Sequence, residues 1–162
     1  MNLRSDWPYI QHIAAERLRK NKTPRHRADF GTEIEVTGAA GELAARRFLG
    51  LPEELGTTFD GGIDISLHGI AIDVKSTRPS SKWLQVAYYK RVAADIILMM
   101  SIDPERQTAI LRGFAWKREI LAAPLDLTQI DACHRIHINE LHGIEELLDV
   151  CSTPSAQTEA HC

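Results

Sequence analysis

The chain has 162 residues, 44% of them hydrophobic and 25% charged, with a formal net charge of −3. These figures predict one domain with a single sizeable core and exclude a protein drawn to nucleic acid or membrane by its overall charge. No apolar run is long enough to cross a bilayer, since the longest, residues 93–102, is broken by Asp95.

Residues 6–20 predict a helix, with Ile10, Ile13, Ala14, Arg17 and Leu18 at helical spacing and Pro8 in the first turn. Its end turns basic: Arg17, Arg19, Lys20, Lys22, Arg25 and Arg27 follow with no acidic residue among them. Residues 21–35 show no period and read as loop. Thr37 then caps a second helix, GAAGELAARRFLG, whose small residues let it lie close to a sheet; Gly50 and Pro52 end it near Leu49. After a loop, residues 63–77 (IDISLHGIAIDVKST) read as two strands. Residues 81–92 fit neither period, so helix and irregular strand both stay open. Residues 95–102 predict a buried strand, 108–116 the next after the turn Asp103-Pro104-Glu105-Arg106, 117–122 a short helix, 135–138 a short strand and 140–150 a last helix. Residues 151–162 are small, polar and aperiodic and predict a disordered tail. The order of elements predicts one α/β domain over residues 1–150, with a mixed central β-sheet flanked by helices and a basic helix and loop over residues 1–35. The N-terminal MNLRSDWPYI has no secretory pattern, so a cytoplasmic protein is expected. Cys133, Cys151 and Cys162 are too far apart for a zinc knuckle and read as free thiols.

The chemistry sits in the strand pair. His68-Gly69 suits a two-residue hairpin loop, which fixes the register: Leu67 with Ile70, Ser66 with Ala71, Ile65 with Ile72, Asp64 with Asp73. One face then collects Ile63, Ile65, Leu67, Ile70, Ile72 and Val74, and the other Asp64, Ser66, Ala71, Asp73 and Lys75. Two carboxylates face each other across roughly 4.5–5.5 Å of backbone separation. Such a pair is relieved by a shared proton or by a cation. A hard divalent ion such as Mg²⁺ suits the paired oxygens. Lys75 lies on the same face roughly 6.6 Å further along the strand. A metal with coordinated water beside an ammonium group suits phosphodiester hydrolysis.

Asp64, eight intervening residues and Asp73-Val74-Lys75 resemble the D…(D/E)xK core of the PD-(D/E)XK nuclease superfamily. Many members carry a glutamate on the helix before the core hairpin, and Glu42 in GAAGELAARRF is similar in place and context. The resemblance covers residues 37–100 by element order. It implies a restriction-endonuclease-like core, a Mg²⁺-dependent deoxyribonuclease activity, one or two Mg²⁺ ions (Mn²⁺ substituting) held by Glu42, Asp64 and Asp73, and Lys75 assisting the attacking water. Ile63 stands where the family's proline is usual, and Asp73 where glutamate is more frequent. Asp60 in FDGGID is a rival for the first acidic position, but Gly61-Gly62 interrupts the strand and only Asp64 falls opposite Asp73.

DNA is the expected partner. Arg17, Arg19, Lys20, Lys22, Arg25, Arg27 and Arg46 are the candidates to neutralise its phosphates. A homodimer would serve paired cuts. His134 and His137 sit three apart in a strand and so point to opposite faces, against a transition-metal site. Trp83, Tyr88 and Tyr89 are candidates for base stacking or for core packing. The rival readings are a non-catalytic nucleic-acid-binding or structural module on the same fold, and a solvated hairpin with a charged outer face.

Overall fold

Apolar residues that alternate or run unbroken along extended segments build a four-stranded central sheet. The computed structural model describes residues 1–20, 31–58, 61–88, 92–128 and 132–152. The sheet consists of β1 (Ile65–Leu67), β2 (Ile70–Thr77), β4 (Ile96–Asp103) and β5 (Thr108–Trp116), in the order β1-β2-β4-β5. It is mixed: β2 runs parallel to β4, and the other two pairings are antiparallel. Every residue of β4 except Asp103 is buried, which is what its continuous apolar run IILMMSI requires of a strand covered on both faces.

Two helices cover one face. α1 (Trp7–Lys20) buries Trp7, Ile10, Ile13 and Ala14, and α2 (Gly31–Phe48) buries Ala39, Ala40, Leu43 and Ala44. They share a core with Ile72, Val74, Leu98 and Met100 of the sheet. Gly41 marks the closest approach: a Cβ there would lie 1.9 Å from Ser76 Oγ and 3.1 Å from Ser76 Cβ. The opposite face carries a second core, in which Ile97 and Met99 meet Leu84, Val86 and Ile136. Those three belong to a separate antiparallel sheet of β3 (Trp83–Ala87), β7 (Cys133–His137) and β6 (Leu125–Asp126), in the order β3-β7-β6. α3 (Lys117–Ala122) adds Ile120 to this core, and α4 (Ile144–Ser152) closes the described chain.

Several elements differ from those expected. A second sheet accompanies the central one. The open segment 81–92 contains a strand, β3, and β6 was not expected at all. α2 begins at Gly31 rather than at a Thr37 cap; Glu33 in its first turn complements the positive helix end and pairs with Arg78 after β2. A 3₁₀ turn over Arg4–Asp6 precedes α1. β7 starts two residues earlier than expected, at Cys133. Residues 138–140 form a 3₁₀ turn, so the last helix starts at Ile144; it continues to Ser152, into the expected tail. The remaining tail residues, 153–162, lie outside the described residues. Among the described residues no helix is long and apolar enough to cross a membrane.

Candidate active site

His68 (φ 50°) and Gly69 (φ 83°) both adopt the left-handed conformation that a two-residue hairpin loop demands. The register is therefore the one expected, Leu67 with Ile70, Ser66 with Ala71 and Ile65 with Ile72. The ladder stops there, one step short of an Asp64–Asp73 pair. The Asp64 amide still donates to the Ile72 carbonyl at 3.0 Å. Its carboxylate turns into the edge of β2, where Oδ2 accepts the Val74 N–H at 2.6 Å, and its own carbonyl accepts from the Arg46 guanidinium at 2.9 Å.

Asp73 and Lys75 alternate with Ile72 and Val74, so they share the face of their β4 partners Ile97 and Met99, opposite α2. Asp73 is only 9% exposed, so this face is not the solvated outer side of a surface hairpin. A carboxylate at that depth needs a partner; the Lys75 ammonium hydrogen-bonds Asp73 Oδ1. The like-charge conflict expected of the pair is thus eased residue by residue. A backbone amide serves Asp64 and an ammonium serves Asp73.

Glu42 follows Gly41, where α2 touches β2, and it is half-buried. Both its oxygens accept from one guanidinium: Arg17 Nη1 donates to Oε1 at 2.7 Å and Nη2 to Oε2 at 2.6 Å. Arg17 Nε donates to the Gly56 carbonyl at 2.9 Å. The Arg17 pKa is raised, chiefly by the Glu42 hydrogen bonds acting against burial, with the charges of Glu42, Glu35 and Asp64 adding to it. One guanidinium therefore stands among three carboxylates from α2 and the strand edge. Glu35 escaped the sequence reading because its segment read as loop. With α2 extended to Gly31, Glu35 lies two turns before Glu42 on the same helical face, an i,i+7 relation visible once the helix is drawn to its full length.

The remaining candidates are spread out. Arg19 pairs with Glu16 at 2.8 Å and Lys20 donates to Thr57 Oγ1. Lys22, Arg25, Arg27, Tyr89 and the rival Asp60 lie outside the described residues. His134 faces the Ala123 carbonyl through Nδ1, whereas His137 stacks edge-on with Trp83. Trp83 and Tyr88 are 36% and 62% exposed, so neither belongs to the core.

Among the described residues no three His, Cys, Asp or Glu side chains converge as a ready-made metal cage. Mg²⁺ does not need one, because it binds through one or two carboxylates and keeps several waters. Asp64, just before β1, and Asp73, in β2, supply hard oxygen donors of the kind such an ion takes. Compared with known proteins, the chain matches no family model, no curated protein and no solved structure.

Proposed function

We propose that the chain is a metal-dependent nuclease that hydrolyses DNA phosphodiester bonds on a restriction-endonuclease-like core of the PD-(D/E)XK kind. The observation that carries this reading is the burial of Asp73 against Lys75, with Asp64 fixed on the next backbone amide of the same strand. Buried paired charges cost desolvation energy and are weak devices for stability. An ammonium set beside carboxylates is the kind of group that phosphodiester hydrolysis uses.

Asp64 and Asp73 are the metal-binding residues in this reading, and Glu42, held by Arg17 on the α2 side of the sheet, is the third candidate, placed nearer Asp64 than Asp73. A bound Mg²⁺ would polarise the phosphate and acidify a water. The chain's own residues do the rest. The Val74 amide fixes the direction of the Asp64 carboxylate, and Arg46 holds the Asp64 backbone against α2. Lys75 keeps its ammonium at Asp73, where it can orient the attacking water and steady charge on the phosphate. The test is cleavage of plasmid, linear, single-stranded and four-way-junction DNA with Mg²⁺, Mn²⁺ or chelator. Cleavage that needs the metal supports the proposal. Binding of DNA without cleavage under every condition would instead assign a non-catalytic module.

A further inference from the structure

Arg17 has an unusual set of neighbours for a candidate phosphate contact. It lies in the field of three carboxylates and is itself only 13% exposed at the side chain, with Glu42 at 14%. Its fork takes both oxygens of Glu42, and its Nε is anchored on the Gly56 carbonyl. A carboxylate bound in this way has one lone pair of each oxygen committed and both oxygens fixed in direction. A divalent cation approaching it would also meet a positive charge at close range, in a region where water screens little. The guanidinium thus stands where the Glu42 carboxylate would otherwise draw in a cation.

We propose that Arg17 is the resident counter-cation of the site: it holds Glu42 in the metal-free protein and competes with a divalent metal ion for it. This rests on the reading of Glu42 as a metal-binding residue. Metal binding is then an exchange in which the Arg17–Glu42 pair opens and Arg17 also leaves Gly56. Arg17 acts through Glu42 and is a positioning residue. A purely structural ion pair makes the opposite forecast, since removing its arginine would loosen Glu42 and weaken any metal bound nearby.

The test is calorimetric titration of Mn²⁺ into the metal-free full chain and its variants. Arg17→Met is expected to bind Mn²⁺ at least about tenfold more tightly than wild type, equivalent to about 1.4 kcal/mol, and Arg17→Lys to fall between them. Adding Glu42→Gln to Arg17→Met should abolish the gain. In ¹⁵N-arginine NMR spectra the Arg17 Nε–H signal should shift on addition of diamagnetic Mg²⁺ as its contact with Gly56 opens. If Arg17→Met fails to fold because Glu42 is left buried and unpaired, Arg17→Lys and the NMR signal decide the matter. Equal or weaker metal binding in the Arg17 variants overturns the exchange. If wild type still binds and Asp73→Asn does not, the nuclease reading survives that result. Absence of Mn²⁺ binding in wild type and in both Arg17 variants sinks both.

Discussion

Lys75 and Asp73 form an ion pair two residues apart on one strand, with side chains 31% and 13% exposed. Removing the lysine leaves a shielded carboxylate without its ammonium, a loss of about 1–3 kcal/mol. Lys75→Ala is therefore expected to lose that much stability in urea unfolding, keep its circular dichroism spectrum and lose DNA cleavage. Full cleavage by this variant would remove the lysine from the chemistry. These residues were readable in the sequence because a turn signal and a period-two alternation agreed on the same register. The fate of Asp64 was not readable. Strand pairing predicts which residues lie opposite, but whether a carboxylate stands upright beside its neighbour or rotates to take a backbone N–H is decided by where the ladder ends. Arg17 illustrates the same limit. Charge count marks it as basic, and only the three-dimensional packing of α1 against α2 brings it to Glu42.

At the scale of elements, α2 positions Glu42 through its contact with β2. Gly41 is the contact point, and Ser76 Oγ lies buried without a hydrogen-bond partner. Gly41→Ala gains about 1 kcal/mol of helix propensity but forces a methyl against Ser76, an overpacking cost of about 1–3 kcal/mol. The net expectation is destabilisation, measured by thermal unfolding. Ser76→Ala should be neutral or stabilising on its own and should recover part of the Gly41→Ala loss. An unchanged melting temperature for Gly41→Ala would mean that α2 does not press on β2 there. The sequence located this helix by its small residues but started it seven residues late. Thr32, Ile34, Val36 and Thr37 are β-branched, weak helix formers, and tertiary contacts override their preference. β5 and α3 were read with their observed limits because their patterns are local. β3 and β6 were obscure, and β7 was read with shifted limits, because they are short and pair residues far apart in the chain, such as Trp83 with His137.

Across the whole molecule, the C-terminal segment is latched to the central sheet. His142 exchanges backbone hydrogen bonds with Phe114 at 2.8 and 3.1 Å, and its ring lies between Glu119 of α3 and Glu146 of α4. The Glu119 hydrogen bond, against burial and aided by Glu146, raises the His142 pKa above its ordinary 6.5. Burial pushes Glu119 up, but hydrogen bonds from His142 and the Trp116 amide, with the charges of His142 and Arg118, hold it below 4.5. A raised imidazole stabilises fully below 6.5 and loses that contribution as pH rises through its folded value; a depressed carboxylate stabilises above 4.5 and loses it as pH falls through its own. The latch is strongest between those limits. The stability advantage of wild type over His142→Gln should be greatest near about pH 5.5–6 and shrink toward about pH 8, by under about 1 kcal/mol because the ring is partly exposed. A constant advantage across that range would mean that the imidazole charge contributes nothing.

The two-sheet architecture and the buried Asp73 with its Lys75 partner bear most directly on one experiment. Wild type, Asp73→Asn and Lys75→Ala, each shown to be folded, are incubated with supercoiled plasmid and Mg²⁺, with and without chelator. Wild type is predicted to nick or linearise the plasmid in a reaction that chelator abolishes. Each variant is predicted to lose about 100-fold or more, the scale on which removal of one transition-state-stabilising group acts. Cleavage by the two variants at the wild-type rate would contradict the assignment.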